Sequence, residues 1–208
     1  MKKEFEKIYS QNGWMFGQKE SGSGDGSTLE FTVNLRKELP IIFEKYNIKT
    51  VFDGACGDYN WMKEVVKETD ITYIGGDIVG PVMKECNKKY GSDKVSFLEM
   101  DMTTDPLPDV DLMICRQVLF HLSYRSLNDF FQNFSRSNIK YILTTTHVNK
   151  GKFVNKDISN SSFRYIDLFK PPFNISKNDV LESVKDYIEP YYPRTMILLE
   201  KDSLPKAI

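Results

Sequence analysis

The chain has 208 residues, 40% of them hydrophobic and 27% charged, with a formal net charge of −1. That length suits one domain burying roughly 70% of its unfolded surface, and a near-neutral chain without a dense basic tract gives nucleic acid no electrostatic footing. No apolar run reaches the roughly 18 residues of a membrane span, and three scattered cysteines (Cys56, Cys86, Cys115) make neither a disulfide framework nor a zinc site.

In chain order, Met1-Lys2-Lys3-Glu4-Phe5-Glu6-Lys7 is charged with no hydrophobic stretch behind it, unlike a signal peptide. The expectation is a cytoplasmic protein with no membrane or nucleic-acid partner and no metal. Ser21-Gly22-Ser23-Gly24-Asp25-Gly26-Ser27 reads as a flexible loop. Feeding a helix, it also offers free amides to an anion. Ser27 and Glu30 spell a capping box, and Phe31, Leu35 and Leu39 form an apolar face before Pro40 kinks or ends the helix.

From Lys49 strand and helix patterns alternate. Strands fit at about 50–53, 71–76, 95–99, 110–115 and 140–145, and helices at about 60–69, 80–90 and 125–137. Such alternation implies parallel strands joined by right-handed crossovers, with ligands at the carboxyl ends of the strands. The tail from about 155 to 173 is too rich in proline and aromatics for a plain crossover. Thr195 to Glu200 is a strand, and periodicity leaves Val180 to Ile188 as either strand or helix.

The sharpest local signal is Thr50-Val51-Phe52-Asp53-Gly54-Ala55-Cys56-Gly57-Asp58, a strand breaking into a glycine turn, followed by a second strand ending in Asp77. The third glycine of a dinucleotide fingerprint is missing. Asp53 and Asp58 would repel a pyrophosphate and suit a ligand bearing an ammonium and a sulfonium. The segment resembles motif I of class I S-adenosylmethionine (SAM)-dependent methyltransferases, with the Gly-Ala order reversed. Asp77, the pair Asp101-Met102 and the run Asp111 to Leu122 follow in the family's order, and the likeness covers roughly residues 48 to 147.

The resemblance implies a Rossmann-like, doubly wound α/β fold: a mostly parallel seven-stranded sheet ending in an antiparallel hairpin. It implies one domain over 1–208, with a cap and Gly/Ser loop (1–47), a SAM-binding core (48–147) and a substrate segment with terminal strands (148–208). SAM is the implied cofactor, held by Asp53, Gly54, Ala55, Cys56, Gly57, Asp77, Ile78, Asp101, Met102 and Arg116. A likeness of Cys115 to Leu122 and of Arg164 to Phe173 to small bacterial methyltransferases of surface-polysaccharide or other small-molecule pathways implies a sugar or phosphate-bearing acceptor.

Transfer to a hydroxyl calls for a base. The two histidines, His121 and His147, both fall beyond expected strand ends and are rival candidates, though either can be structural. Arg116 either pairs with a nearby acid such as Asp101 or presents its fork to a substrate anion. Trp14, Ser23, Gln117, Asn155 and Arg164 complete the expected substrate set. Trp14, Phe16, Phe163 and Phe173 either roof the site or pack in the core. Tyr191 and Tyr192 leave a homodimer edge open. The competing readings are an NAD(P)-dependent reductase and a non-catalytic SAM-binding protein.

Overall fold

A computed structural model describes residues 1–15 and 17–208; Phe16 lies outside the described residues. Seven strands form one sheet: β1 (Thr50–Gly54), β2 (Thr72–Asp77), β3 (Val95–Glu99), β4 (Leu112–Cys115), β5 (Tyr141–His147), β6 (Glu182–Lys185) and β7 (Arg194–Glu200). Their order is β3-β2-β1-β4-β5-β7-β6. The first five run parallel, and β7 lies antiparallel to both β5 and β6. This is the Rossmann-like sheet with its antiparallel end, as expected.

The sequence explains why the centre holds. β4 and β5 are buried at every position because helices cover both faces, so they read as unbroken runs rather than alternating ones. Leu35, Leu39, Val51, Tyr73 and Met83 pack one face, and Phe52, Met113, Phe130, Phe134 and Ile142 pack the other. Among the described residues five α-helices accompany the sheet: α1 (Lys2–Ser10), α2 (Val33–Lys45), α3 (Met62–Lys67), α4 (Gly80–Tyr90) and α5 (Tyr124–Arg136). The strand order reverses between β1 and β4, and a crevice opens there at the carboxyl edge.

Two local expectations are corrected, and one open reading is resolved. α2 starts at Val33, not after Ser27; Glu30 is exposed, and no capping box forms. Tertiary bonds override the local signal: the Ser27 carbonyl accepts from Asn60 Nδ2 (2.9 Å) and the Gly26 carbonyl from Arg116 Nη2 (2.7 Å). Pro40 neither ends the helix nor stops its packing, because Ile42 and Phe43 beyond it are buried. The segment left open around 182–185 is a strand, paired along β7. Among the described residues no helix is long and apolar enough to cross a membrane.

Candidate active site

A cavity of about 640 Å³ opens along the crevice. On its β1–β2 side, Ala55 (φ 65°) and Gly57 (φ 60°) take left-handed backbone. Ala55 and Cys56 donate their N–H groups to the Gly76 carbonyl at 2.7 and 3.0 Å, curling the turn over β2. The Gly57 N–H thereby reaches Asp77 Oδ2 (3.1 Å), while Val79 N–H holds Oδ1 (3.0 Å). A side chain at position 57 would overlap the Ser23 hydroxyl and press on that of Tyr9. Alanine at 55 costs roughly 1–2 kcal/mol of left-handed strain. Glycine at 57 is a steric requirement.

Asp53, Ala55, Cys56, Gly57, Asp77, Ile78, Asp101 and Met102 line this side. Gly54 does not; it ends β1 against Met113 and Met102. Asp53 is 3% exposed and accepts from the Tyr73 hydroxyl at 2.9 Å. Burial pushes its carboxyl up to about 7, against the opposing pull of that hydrogen bond and of Arg116. Burial raises Asp77 too, against its backbone donors. Asp101 Oδ1 takes the Thr103 N–H (3.0 Å) and hydroxyl (2.6 Å), which fixes the carboxylate in place.

Asp58 has a different job from the one its position suggested. Its carboxylate accepts from the Ser21 hydroxyl (2.9 Å), Gly22 N–H (2.8 Å) and Ser23 hydroxyl (3.1 Å), and so ties the Gly/Ser loop down. Ser23 reaches the cavity with its hydroxyl already bonded to Asp58 and Tyr9.

The β4–β5 side carries both histidines. His121 closes a 3-10 turn after β4, ringed by Trp14, Phe120 and Phe163. Its Nδ1 lies 2.8 Å from the Ser162 carbonyl. A carbonyl only accepts, so the proton sits on Nδ1 and Nε2 keeps its lone pair. Burial, together with nearby Arg164, holds its pKa below 6.5. His147 is the mirror case. Its Nδ1 accepts from the Ile166 N–H (3.1 Å), so the neutral ring carries its proton on Nε2. Burial and then Arg194 drive its pKa down to about 4. The rivals are therefore not equivalent: one offers a base, the other a donor.

Arg116 lines the cavity, but its fork is not free and its partner is not Asp101. Nε and Nη2 grip Asp186 at 3.1 and 2.7 Å, Nη2 also reaches the Gly26 carbonyl, and the guanidinium lies 5.2 Å over Trp61. Gln117, held at φ 56° by its N–H to the Thr145 hydroxyl, turns its amide oxygen to Arg116 Nη2 (2.7 Å) and Arg194 Nη2 (2.8 Å).

Asn155 and Arg164 do not line the cavity. Asn155 donates to the Asp167 and Pro171 carbonyls and knits the tail together. Arg164 is buried over Tyr124; its Nη2 donates to the Leu119 carbonyl of the turn that carries His121, and its charge lies near that ring. Phe173 packs in the core against Phe131 and Tyr124, whereas Trp14 and Phe163 do line the cavity. Sequence reasoning missed Asp186 and Arg194, which carry no motif. Tyr191 and Tyr192, for which the sequence leaves a homodimer edge open, both line the cavity, with Tyr192 stacked on Tyr165 at 4.1 Å.

Residues 51–138 match the family model described as a methyltransferase domain. No curated protein matches it in sequence. Among solved structures, the methyltransferase fold resembles 1,6-didemethyltoxoflavin-N1-methyltransferase of Burkholderia thailandensis (TM-score 0.64, 11% identity, 96% of this chain and 86% of that one). It also resembles a SAM-dependent methyltransferase of Leishmania major (0.64, 16%, 92% and 82%). A third is magnesium protoporphyrin IX methyltransferase of Synechocystis PCC 6803 with bound S-adenosylhomocysteine (0.61, 14%, 96% and 98%).

The site fits SAM as a cofactor. Gly57 lines the cavity, the buried Asp77 stands beside it at the end of β2, and Ile78 and Met102 offer apolar surface for an adenine. Asp77 would hold the ribose hydroxyls, and Asp53 would face the cationic end. A nicotinamide pyrophosphate fits poorly, because the turn lacks the third glycine and is flanked by carboxylates.

Proposed function

We propose that the enzyme methylates a hydroxyl of a small polar acceptor, such as a sugar, a sugar nucleotide or another phosphate-bearing metabolite. The observation that carries this reading is the His121 Nδ1 bond to the Ser162 carbonyl, which leaves Nε2 unprotonated. When bound, SAM would supply an electrophilic methyl group, whose C–S bond would break with its electron pair left on sulfur as the new O–C bond formed. His121 Nε2 takes the hydroxyl proton, a task that a nitrogen acceptor held neutral would not require. His121 stays neutral at physiological pH because burial disfavours its cation. Trp14 and Phe163 flank its ring, and alignment of the two reactants contributes most of the rest.

The sugar-like acceptor is supported by the likeness of the Cys115–Leu122 and Arg164–Phe173 segments to polysaccharide-pathway enzymes, and by aromatic walls that stack on sugar or base faces. The test is to incubate the enzyme with SAM and a panel of sugars, sugar phosphates and nucleotides, and to locate any new methyl group by mass spectrometry. An O-methyl product lost in His121→Ala supports the proposal. An N-methyl product, or equal turnover by His121→Ala, overturns it.

A further inference from the structure

β5 and β7 pair so that His147 stands opposite Arg194, and both line the cavity. This position is two and three strands from β1, on the far side of the crevice from Asp77. His147 carries its ring proton on Nε2, and among the described residues that atom bonds to nothing. Arg194 lies 4.9 Å over Phe31, with Nε 3.5 Å from Asp186 and Nη2 on the Gln117 oxygen. Its Nη1 has no hydrogen bond among the described residues.

Charge at this wall does not balance. The Asp186 carboxylate is shared by two guanidiniums, and Arg116 makes the closer contact, 2.7 Å against 3.5 Å. No other carboxylate among the described residues lies within 4.0 Å of Arg194. Asp25, at the cavity mouth, accepts instead from the Tyr191 hydroxyl. Burial is the main influence on Arg194, pressing its pKa down from the usual value. An anion arriving here would relieve that burden, and a half-buried guanidinium beside an imidazole N–H suits a planar or tetrahedral oxyanion.

We propose that His147 and Arg194 form a subsite for an anionic oxygen group of the acceptor, a phosphate or a carboxylate. It anchors the acceptor so that its hydroxyl lies against His121. The proposal rests on the methyltransferase reading and narrows its acceptors to those carrying an anion. It also makes His147 a positioning residue rather than the base.

The experiment titrates the protein saturated with S-adenosylhomocysteine with inorganic phosphate, and separately with acetate, following the Arg194 Nε–H and His147 ring signals by NMR. One anion should saturate both signals, and which one does so separates a phosphate from a carboxylate acceptor. Arg194→Gln should weaken that binding about ten- to hundredfold, the scale of a lost charge-assisted bond. His147→Gln, which keeps a donor near the Nε2 position, should weaken it less. Arg194→Lys, which retains the charge that offsets Asp186, serves if the Gln variant fails to fold. The proposal is overturned if neither anion moves the signals, or if Arg194→Gln and Arg194→Lys bind like the parent. It is also overturned if Arg194→Gln weakens S-adenosylhomocysteine itself, because the cation would then serve the cofactor. Cofactor binding unchanged by these variants leaves the methyltransferase reading standing whatever the anions do.

Discussion

Asp53 is buried where its charge is costly, and the structure keeps it there. Its native pKa of about 7 lies above the ordinary 3.8. Between those values the folded protein holds a proton that the unfolded chain has released. Stability therefore falls as pH rises through that window, and the full cost stands above pH 7. Asp53→Asn should stabilise the ligand-free protein by about 2–4 kcal/mol at pH 8, and the gain should vanish near pH 4. The same change should weaken S-adenosylhomocysteine. Thermal unfolding at the two pH values checks the first part, and equal melting temperatures at pH 8 would contradict it. The histidines make a second pair of expectations. His121→Ala should lower kcat by about 10²–10⁴-fold. In the parent enzyme the acid limb of the pH profile should lie below 6.5, because the lone pair on Nε2 is lost once the ring is protonated. His147→Gln should leave that limb where it is. Asp53, Gly57, Asp77 and Asp101 were legible because each sits at a strand end within a few residues of a turn. Arg194 and Asp186 were not, because their roles come from partners about 70 residues away along the chain.

Among the elements, the Gly/Ser loop and the β4–β6 connection decide whether the crevice is walled. The loop is held by Asp58 through three donors, and it closes against Gly57 through Ser23 and Tyr9. Asp58→Ala should leave the sheet intact, open the loop to proteolysis between residues 17 and 28, and weaken cofactor binding. Limited digestion read by mass spectrometry tests this; a cleavage pattern like the parent's would contradict it. Arg116 straps β4 to the segment after β6 and to the loop at Gly26. Removing one member of a buried ion pair costs about 3–5 kcal/mol because the other charge is left alone. Arg116→Met should therefore destabilise by that order, and Asp186→Asn in addition should restore part of it. Denaturant melts of the single and double variants check the pair. Sequence patterns found the core strands and α4 because their periodicity is unbroken. The capping box at Ser27 misled because Asn60 and Arg116 claim the loop's carbonyls.

At the scale of the whole molecule, the sheet's polarity explains why the parts meet. Parallel strands β1, β2, β4 and β5 bring Asp53, Asp77, Arg116 and His147 to one edge, although nearly a hundred residues separate the first from the last. The reversed strand β7 then returns its first residue, Arg194, to that same edge beside His147. One end of the cavity is thus acidic and glycine-lined, and the other is aromatic with two histidines and a half-buried cation. A sulfonium donor and an anionic acceptor would enter from opposite electrostatic sides. All of this depends on the cofactor occupying the acidic end. The most direct test is a calorimetric titration of S-adenosylhomocysteine into the parent and Asp77→Ala proteins, with NADH as the rival ligand. The account predicts saturable binding that Asp77→Ala weakens by about 1–3 kcal/mol, the scale for a buried polar partner left unpaired, and no binding of NADH. Absence of S-adenosylhomocysteine binding, or binding of NADH in its place, would contradict it.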